Sequence, residues 1–163
     1  MQRVMLDYAA IVSTPLADVN LGIRQAEGAI CAIDFLPACA GAVAPQTPLA
    51  GRAVDALRRY FEDPRHPFSL PLNVKGTPFQ QGVWQALTQL PPGRTLSYGE
   101  LARRLGTAAR AVGNACRANP VPLVIPCHRV VAAAGLGGYA GQVHGRRLEI
   151  KRWLLEHEGR AAA

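Results

Sequence analysis

The sequence has no long apolar run. Nothing in it approaches the roughly 18 uninterrupted apolar residues that a membrane-spanning helix needs, so no such helix is expected. Its first residues, MQRVMLDYAA, lack a secretory apolar region because Asp7 interrupts them, and a soluble cytosolic protein is the expectation. Cysteine occurs four times, as Cys31, Cys39, Cys116 and Cys127, but without a metal-binding spacing. The one near pair, Cys31 and Cys39, is too wide for a zinc knuckle and has no histidine beside it. No metal site is expected and, in a reducing compartment, no disulfide framework. Internal repeats and low-complexity tracts are also missing. An apolar content of 49% with a charged content of 18% marks a globular chain.

Acids are scarce in one half only. Residues 1–75 balance seven basic against seven acidic side chains, whereas residues 76–163 carry eleven basic residues against four acids. The whole net charge of +7 therefore belongs to the second half. That asymmetry suits a polyanion-binding half joined to a neutral one, although a solvated basic face has the same composition.

What is present divides at PRHPFSLPLNVKG, residues 64–76, whose three prolines make it the best linker. Before it, Val19, Leu21 and Ile23 alternate with polar or small residues. A Glu27-Gly28 turn follows, and then Cys31, Ile33 and Phe35 alternate in turn. This predicts a hairpin of a small antiparallel sheet, with Cys31 as a core filler. Cys39 falls in a Pro/Ala/Gly-rich loop. GRAVDALRRYFED predicts a helix with Val54, Leu57, Tyr60 and Phe61 on one face, ended by Asp63-Pro64. After the linker, helix signals dominate. Thr77-Pro78-Phe79-Gln80 and Ser97-Tyr98-Gly99-Glu100 are both capping boxes. The first helix turns Phe79, Val83, Leu87 and Leu90 inward; the second is short and closed by Gly106. Thr107 can cap a third, AARAVGNACRA, which ends at Asn119-Pro120. Two short helices across a glycine-containing turn outline a helix-turn-helix. The second of them is almost without bulk, and Arg110 and Arg117 are its only charges. An arginine beside the exposed amides of a helix start suits phosphate. The last helix, RRLEIKRWLLEHEG, buries Ile150, Trp153 and Leu154 and stops at Gly159.

One segment resists the reading of an ordinary strand. In NPVPLVIPCHRVV, Pro120, Pro122 and Pro126 fix φ and remove backbone donors, so the segment is stiff and shaped. Cys127 is either an inert buried thiol or a nucleophile, and a neighbouring histidine or arginine lowers a thiol pKa. On an extended backbone, Cys127 and His128 point to opposite faces, so His128 reaches the thiol only through a turn or a bridging water.

The blocks GTPFQQGVWQAL, PPGRTLSYGELARRLG, ARAVGNACRANP, VIPCHRVV, GLGGY and KRWLLEHEG together resemble the O6-methylguanine-DNA methyltransferases, over essentially all of residues 76–160. Residues 1–75 resemble the divergent N-terminal domain of that family in outline. The resemblance implies an α+β chain. Residues 1–75 would form a small antiparallel-sheet α/β domain of ribonuclease-H-like type. Residues 76–163 would form a helical, winged-helix-like helix-turn-helix domain that carries the active-site cysteine. It implies a suicide repair protein for double-stranded alkylated DNA: a cytoplasmic monomer that needs no cofactor and binds the minor groove. Such a protein flips out O6-methylguanine, with O4-methylthymine as a further candidate, and takes the methyl group on Cys127. By the same match, His128 acts through a water as base and Glu158 orients it, while Asn119 braces the active-site turn. Arg110 is the finger that fills the space of the flipped base, and Tyr98 helps rotate the nucleotide and contacts the base. Backbone groups of Cys127 and Val130 receive the exocyclic amine, and Tyr139 walls the pocket. Ala109 and Arg117 lie on the same DNA-contacting helix, and Arg129 makes a structural ion pair. Glu158 has independent support, because an acid in a last helical turn opposes the macrodipole and calls for a partner.

The chain departs from the family by shorter spacings between Tyr98 and Arg110 and between Cys127 and Tyr139, and by Ala140 where some relatives have serine. Two other classes stay open at this level. A lesion-binding module of the same fold replaces the nucleophile, typically by tryptophan, and Cys127 argues against it. A Cys-His hydrolase needs turnover and gives the second half no reason to be basic.

Overall fold

The computed structural model describes residues 7–142 and 145–162, and the chain divides into two compact units, Met1–Lys75 and Gly76–Ala163. In the first unit, strands β1 (Ala10–Ser13), β2 (Val19–Ala26) and β3 (Ala29–Pro37) form an antiparallel sheet in that order. The β2–β3 turn holds Glu27 and Gly28 at φ 53° and 76°, the doubly left-handed geometry whose twist suits a two-residue hairpin. Leu21 pairs with Phe35 and Ile23 with Ile33. The register then shifts between Arg24 and Gln25, which pair with Ala32 and Ile30, so Cys31 is the extra residue of a bulge. This corrects the alternation reading. Ile30 and Ile33, three apart, are the buried pair, and Cys31 is only half-buried.

The central strand β2 is covered on both faces. Asn20 is buried, and a Cβ on Gly22 would lie 2.5 Å from the Tyr8 ring. Helix α1 (Pro48–Glu62) begins at Thr47, whose hydroxyl accepts from the Ala50 N–H. Its buried stripe is Ala50, Ala53, Val54, Leu57 and Tyr60, with Phe61 half-buried. Each large member of that stripe contributes about 1.5–3 kcal/mol by burial.

In the second unit, α2 (Pro78–Thr88) starts on the Thr77–Gln80 capping box, with proline in its first turn. Val83, Trp84 and Leu87 face inward, and Trp84 Nε1 donates to Ala115 O at 2.8 Å. Phe79, expected on that face, is 42% exposed, because the first turn precedes the point where the helix meets its neighbours. Strand β4 (Leu96–Ser97) pairs in parallel with β5 (Val130–Val131). Helix α3 (Tyr98–Leu105) opens on the Ser97–Glu100 capping box and closes at Gly106, which is left-handed at φ 66°. Helix α4 (Ala109–Arg117) packs against it. Its N-cap is Ala108, with no side-chain cap. Thr107 does not cap it; its amide instead donates to Ala102 O, closing the preceding helix.

Helix α5 (Arg146–Ala162) runs past Gly159, which stays helical at a cost of about 1 kcal/mol relative to alanine. Ile150 and Leu154 are buried, while Trp153 is half-buried and stacks on His157. The fold is thus mixed α and β, with one small antiparallel sheet and a helical second unit.

Candidate active site

Three prolines shape the approach to Cys127. Val121 and Leu123 are buried, Leu123 at φ 72°, and the Ile125 N–H returns to Val121 O. Residues Cys127–Arg129 then form a single 3-10 turn. That turn departs from extended backbone, yet it leaves Cys127 at the cleft and His128 bonded to Glu158 instead of to the thiol.

Asn119 braces the turn from the end of α4. Its Nδ2 donates to Ile125 O at 2.8 Å and to Cys127 Sγ at 3.2 Å, and its Oδ1 accepts from the Val121 N–H at 3.0 Å. One side chain therefore ties both sides of the proline segment to the sulfur.

Behind the turn lies a sealed ionic cluster. His128 Nε2 and Glu158 Oε1 are 2.6 Å apart, and both side chains are buried. Arg129 grips the same carboxylate from Nε (3.0 Å) and Nη2 (2.9 Å), and donates to Leu90 O from Nη1. Burial pushes the Glu158 carboxyl up, but the hydrogen bond from His128 and the hydrogen bonds and charge of Arg129 outweigh it and hold the group ionised. Burial keeps His128 below its ordinary range, although Glu158 pulls the other way. The coherent state is an anionic Glu158 paired with Arg129 and a neutral imidazole. A carboxylate only accepts, so Nε2 carries the proton. Nδ1, buried and without a hydrogen bond among the described residues, then holds the lone pair.

In front of the turn is a cleft of about 480 Å³. Tyr98, Ala109, Arg110, Arg117, Cys127 and Tyr139 all line it. Arg110 and Arg117 are exposed on α4, whereas Cys127 and Tyr139 sit deep. Tyr98 donates its hydroxyl to Gly138 O at 3.3 Å, and burial pushes its pKa up to about 12. Ala140 and Gly141, at φ 48° and 84°, make a tight turn closed by reciprocal Tyr139–Gln142 backbone bonds at one edge of the cleft. Burial pushes the Cys127 thiol up, while hydrogen bonds from Asn119 and Tyr139 and the charge of Lys151 act to lower it. Val130 is buried, and its carbonyl accepts from Lys151.

The structure thus gathers Cys127, Tyr98, Tyr139, Ala109, Arg110 and Arg117 at one cleft, holds Asn119 against the sulfur, and sets His128 and Glu158 behind the turn. No hydrogen bond joins the Cys127 and His128 side chains among the described residues. Sequence reasoning missed two members. Cys116 lines the cleft as a buried thiol that burial pushes up to about 12. Lys151 is fully buried; its only sequence signal is the i, i+3, i+7 spacing with Leu154 and Glu158. Among the described residues, no group of three or more His, Cys, Asp or Glu is placed to hold a metal ion.

Residues 78–160, just over half of the chain, match the family model for the 6-O-methylguanine DNA methyltransferase DNA-binding domain. The chain belongs to the O6-methylguanine-DNA methyltransferase family. It is 47% identical over 116 residues to the constitutive methylated-DNA–protein-cysteine methyltransferase of Bacillus subtilis, which covers 69% of this chain and 68% of that protein. Among solved structures, the Mycobacterium tuberculosis O6-methylguanine methyltransferase is 36% identical with a TM-score of 0.74, covering 94% of this chain and 93% of that one. A Mycobacterium tuberculosis OGT solved in complex with DNA is 34% identical, with a TM-score of 0.75 over 93% and 92% of the two chains. Every residue of the cleft and of the cluster behind it lies inside the segment that the methyltransferase model matches. β1 to β3 and α1 lie outside that segment, and there the solved methyltransferases extend the likeness.

Proposed function

We propose that this chain repairs DNA by moving the methyl group of O6-methylguanine onto its own Cys127, once per molecule. The observation that carries this reading is the Cys127 sulfur, which lines an arginine-edged cleft, is hydrogen-bonded by Asn119, and is backed by the His128–Glu158 pair.

The chemistry demands such a site. An ether methyl is displaced in line by a thiolate: a bond forms from Sγ to the methyl carbon, and the bond from that carbon to O6 breaks with its electron pair going to the base. The base then takes one proton, which balances the proton that the thiol gives up. Burial disfavours a resting thiolate, so ionisation accompanies substrate entry. In this mechanism His128 Nδ1 accepts the thiol proton through a water, and Glu158 steadies the imidazole. The product is a thioether with no hydrolytic way back, and so each molecule reacts once.

The helix pair α3 and α4 binds the minor groove of a duplex as a winged-helix-like module, with Ala109 and Arg117 along the contacting face. Arg110 fills the space of the extruded base, and Tyr98 helps turn it out. Tyr139 walls the pocket, and backbone groups of Cys127 and Val130 hold the exocyclic amine. Flipping costs a few kcal/mol, which an inserted side chain partly offsets. Residues 76–163 are then the DNA-binding and transfer domain, and residues 1–75 a ribonuclease-H-like companion. The protein acts as a cytoplasmic monomer, without cofactor or metal.

The test is duplex DNA carrying labelled O6-methylguanine. One equivalent of label should appear on the peptide that contains Cys127, with no turnover, and Cys127→Ala should take none. Label on another residue, or continued turnover, would sink the assignment.

A further inference from the structure

The surroundings of the Cys127 sulfur lack the cation that a Cys-His pair leads one to expect. His128 is neutral, its Nε2 is committed to Glu158, and no hydrogen bond joins it to the thiol among the described residues. A cation does reach the site, from another element. Lys151 on α5 is fully buried. Its Nζ donates to Val130 O at 2.7 Å and Gly138 O at 2.9 Å, and stands 5.7 Å from the centroid of the Tyr98 ring.

The titratable groups facing it are Cys127 and His128 on the 3-10 turn, Cys116 on α4 and Tyr98 on α3. Among the described residues no carboxylate pairs with it. A buried ammonium with carbonyl partners and no counter-ion is an expensive arrangement. It persists where something needs the charge. The choice of residue points the same way. The chain has sixteen arginines and only two lysines, Lys75 and Lys151, and a compact ammonium is the cation that burial can tune.

We propose that Lys151 is a positioning residue for alkyl transfer, whose ammonium is the counter-charge met by the Cys127 thiolate as it forms, and whose two carbonyl bonds fix Val130 and Gly138 at the wall of the cleft. The inference rests on the reading of Cys127 as methyl acceptor. Burial pushes the Lys151 pKa down to about 8, while an ionised Cys127 or Cys116 would act to raise it. The lysine and the thiol therefore support each other's ionised forms. Gly138 O also accepts the Tyr98 hydroxyl, so the same lysine ties the base-contacting tyrosine to the thiol.

A purely structural lysine would leave the thiol titration alone, and this separates the two roles. Lys151→Met keeps the length and removes the charge. It should slow methyl transfer at saturating lesion DNA by about tenfold or more, leave the apparent DNA Kd within about twofold, and move the ultraviolet thiolate titration of Cys127 to higher pH. Lys151→Arg, which keeps a charge, should recover part of the rate. Because a buried substitution can unfold the chain, the wild-type protein supplies a second measurement. With two lysines in all, nitrogen-15 lysine NMR resolves Lys151 directly. Single-turnover methyl transfer by the wild-type protein should fall as pH rises past that lysine's midpoint, because the counter-charge is lost there. A rate that goes on rising through that midpoint, or a folded Lys151→Met with wild-type rate and thiol titration, overturns the inference. A wild-type protein that never acquires a methyl group overturns the functional reading, and this inference with it.

Discussion

Glu158 Oε1 lies 2.6 Å from His128 Nε2 and 2.9 Å from Arg129 Nη2, so one carboxylate oxygen serves two partners from adjacent residues of the same turn. It locks the imidazole with Nδ1 free. Replacing the acid tests this directly. Glu158→Gln keeps the shape but offers donors where three donors converge, leaving Arg129 uncompensated in a buried place. Breaking one partner of a buried ion pair costs about 3–5 kcal/mol. The variant should show a lower urea midpoint by that amount and a slower single-turnover methyl transfer. A variant of wild-type stability would mean that solvent reaches the cluster.

The same pair sets the acid limb of stability. Folding holds His128 below its ordinary 6.5 and Glu158 below its ordinary 4.5. As pH falls below about 6.5, the unfolded chain gains a proton on His128 that the folded protein refuses. Below about 4.5 the same happens at Glu158. In both windows the unfolded state binds more protons, so stability falls on acidification. Urea midpoints measured from pH 8 downward should hold level, then decline in two stages. Glu158→Gln should remove the second. A midpoint that rises between pH 7 and 5 would contradict a neutral buried His128.

How far the sequence carried these conclusions depends on how local each signal is. The capping boxes at Thr77–Gln80 and Ser97–Glu100, and the Gly106 stop, are short-range devices; each was legible and forms as expected. The stiff segment before Cys127 was legible for the same reason, because proline acts on its own backbone. What escaped depends on partners distant in the chain. The bulge at Cys31 is a register event between two strands. Phe79 reads as core by period but lies where no neighbour covers it, and Thr107 closes α3 rather than opening α4. Gly159 continues a helix because nothing there demands a left-handed residue. Lys151 was the most costly omission. A lysine reads as surface by type, and only its shared face with Leu154 and Glu158 argued otherwise.

Glycines along the cleft give a paired prediction of opposite sign. Gly137 sits at φ 71°, and a Cβ there would meet Tyr98 Cε2 at 2.9 Å and Ala132 N at 3.2 Å. Gly137→Ala should destabilise by about 1–3 kcal/mol through backbone strain, and should slow transfer by displacing the tyrosine. Gly113, inside α4, has open space within 4 Å of its Cβ position. Gly113→Ala should stabilise by about 0.5–1 kcal/mol, the helix preference of alanine over glycine. Thermal melts of both variants decide the matter. Equal effects would mean that the 137–139 segment is free to move.

Arg110 can act on DNA in two ways, and salt separates them. It lies in the first turn of α4, exposed, on the rim of the cleft that holds Cys127. As a phosphate contact, it would release about one counterion on binding. Arg110→Ala would then lower the salt slope of affinity by about one and weaken binding to lesion and normal DNA alike. As the side chain that replaces an extruded base, its work comes after binding. Arg110→Ala then leaves the salt slope nearly unchanged and slows methyl transfer at saturating DNA, because the flipped state loses its plug. That second outcome is expected, since Arg110 shares the cleft with the sulfur and not only the outer face of the helix. The loss should shrink when the lesion sits opposite a mismatched base, where extrusion costs less. A slope change without a rate change would return Arg110 to the role of a simple phosphate contact.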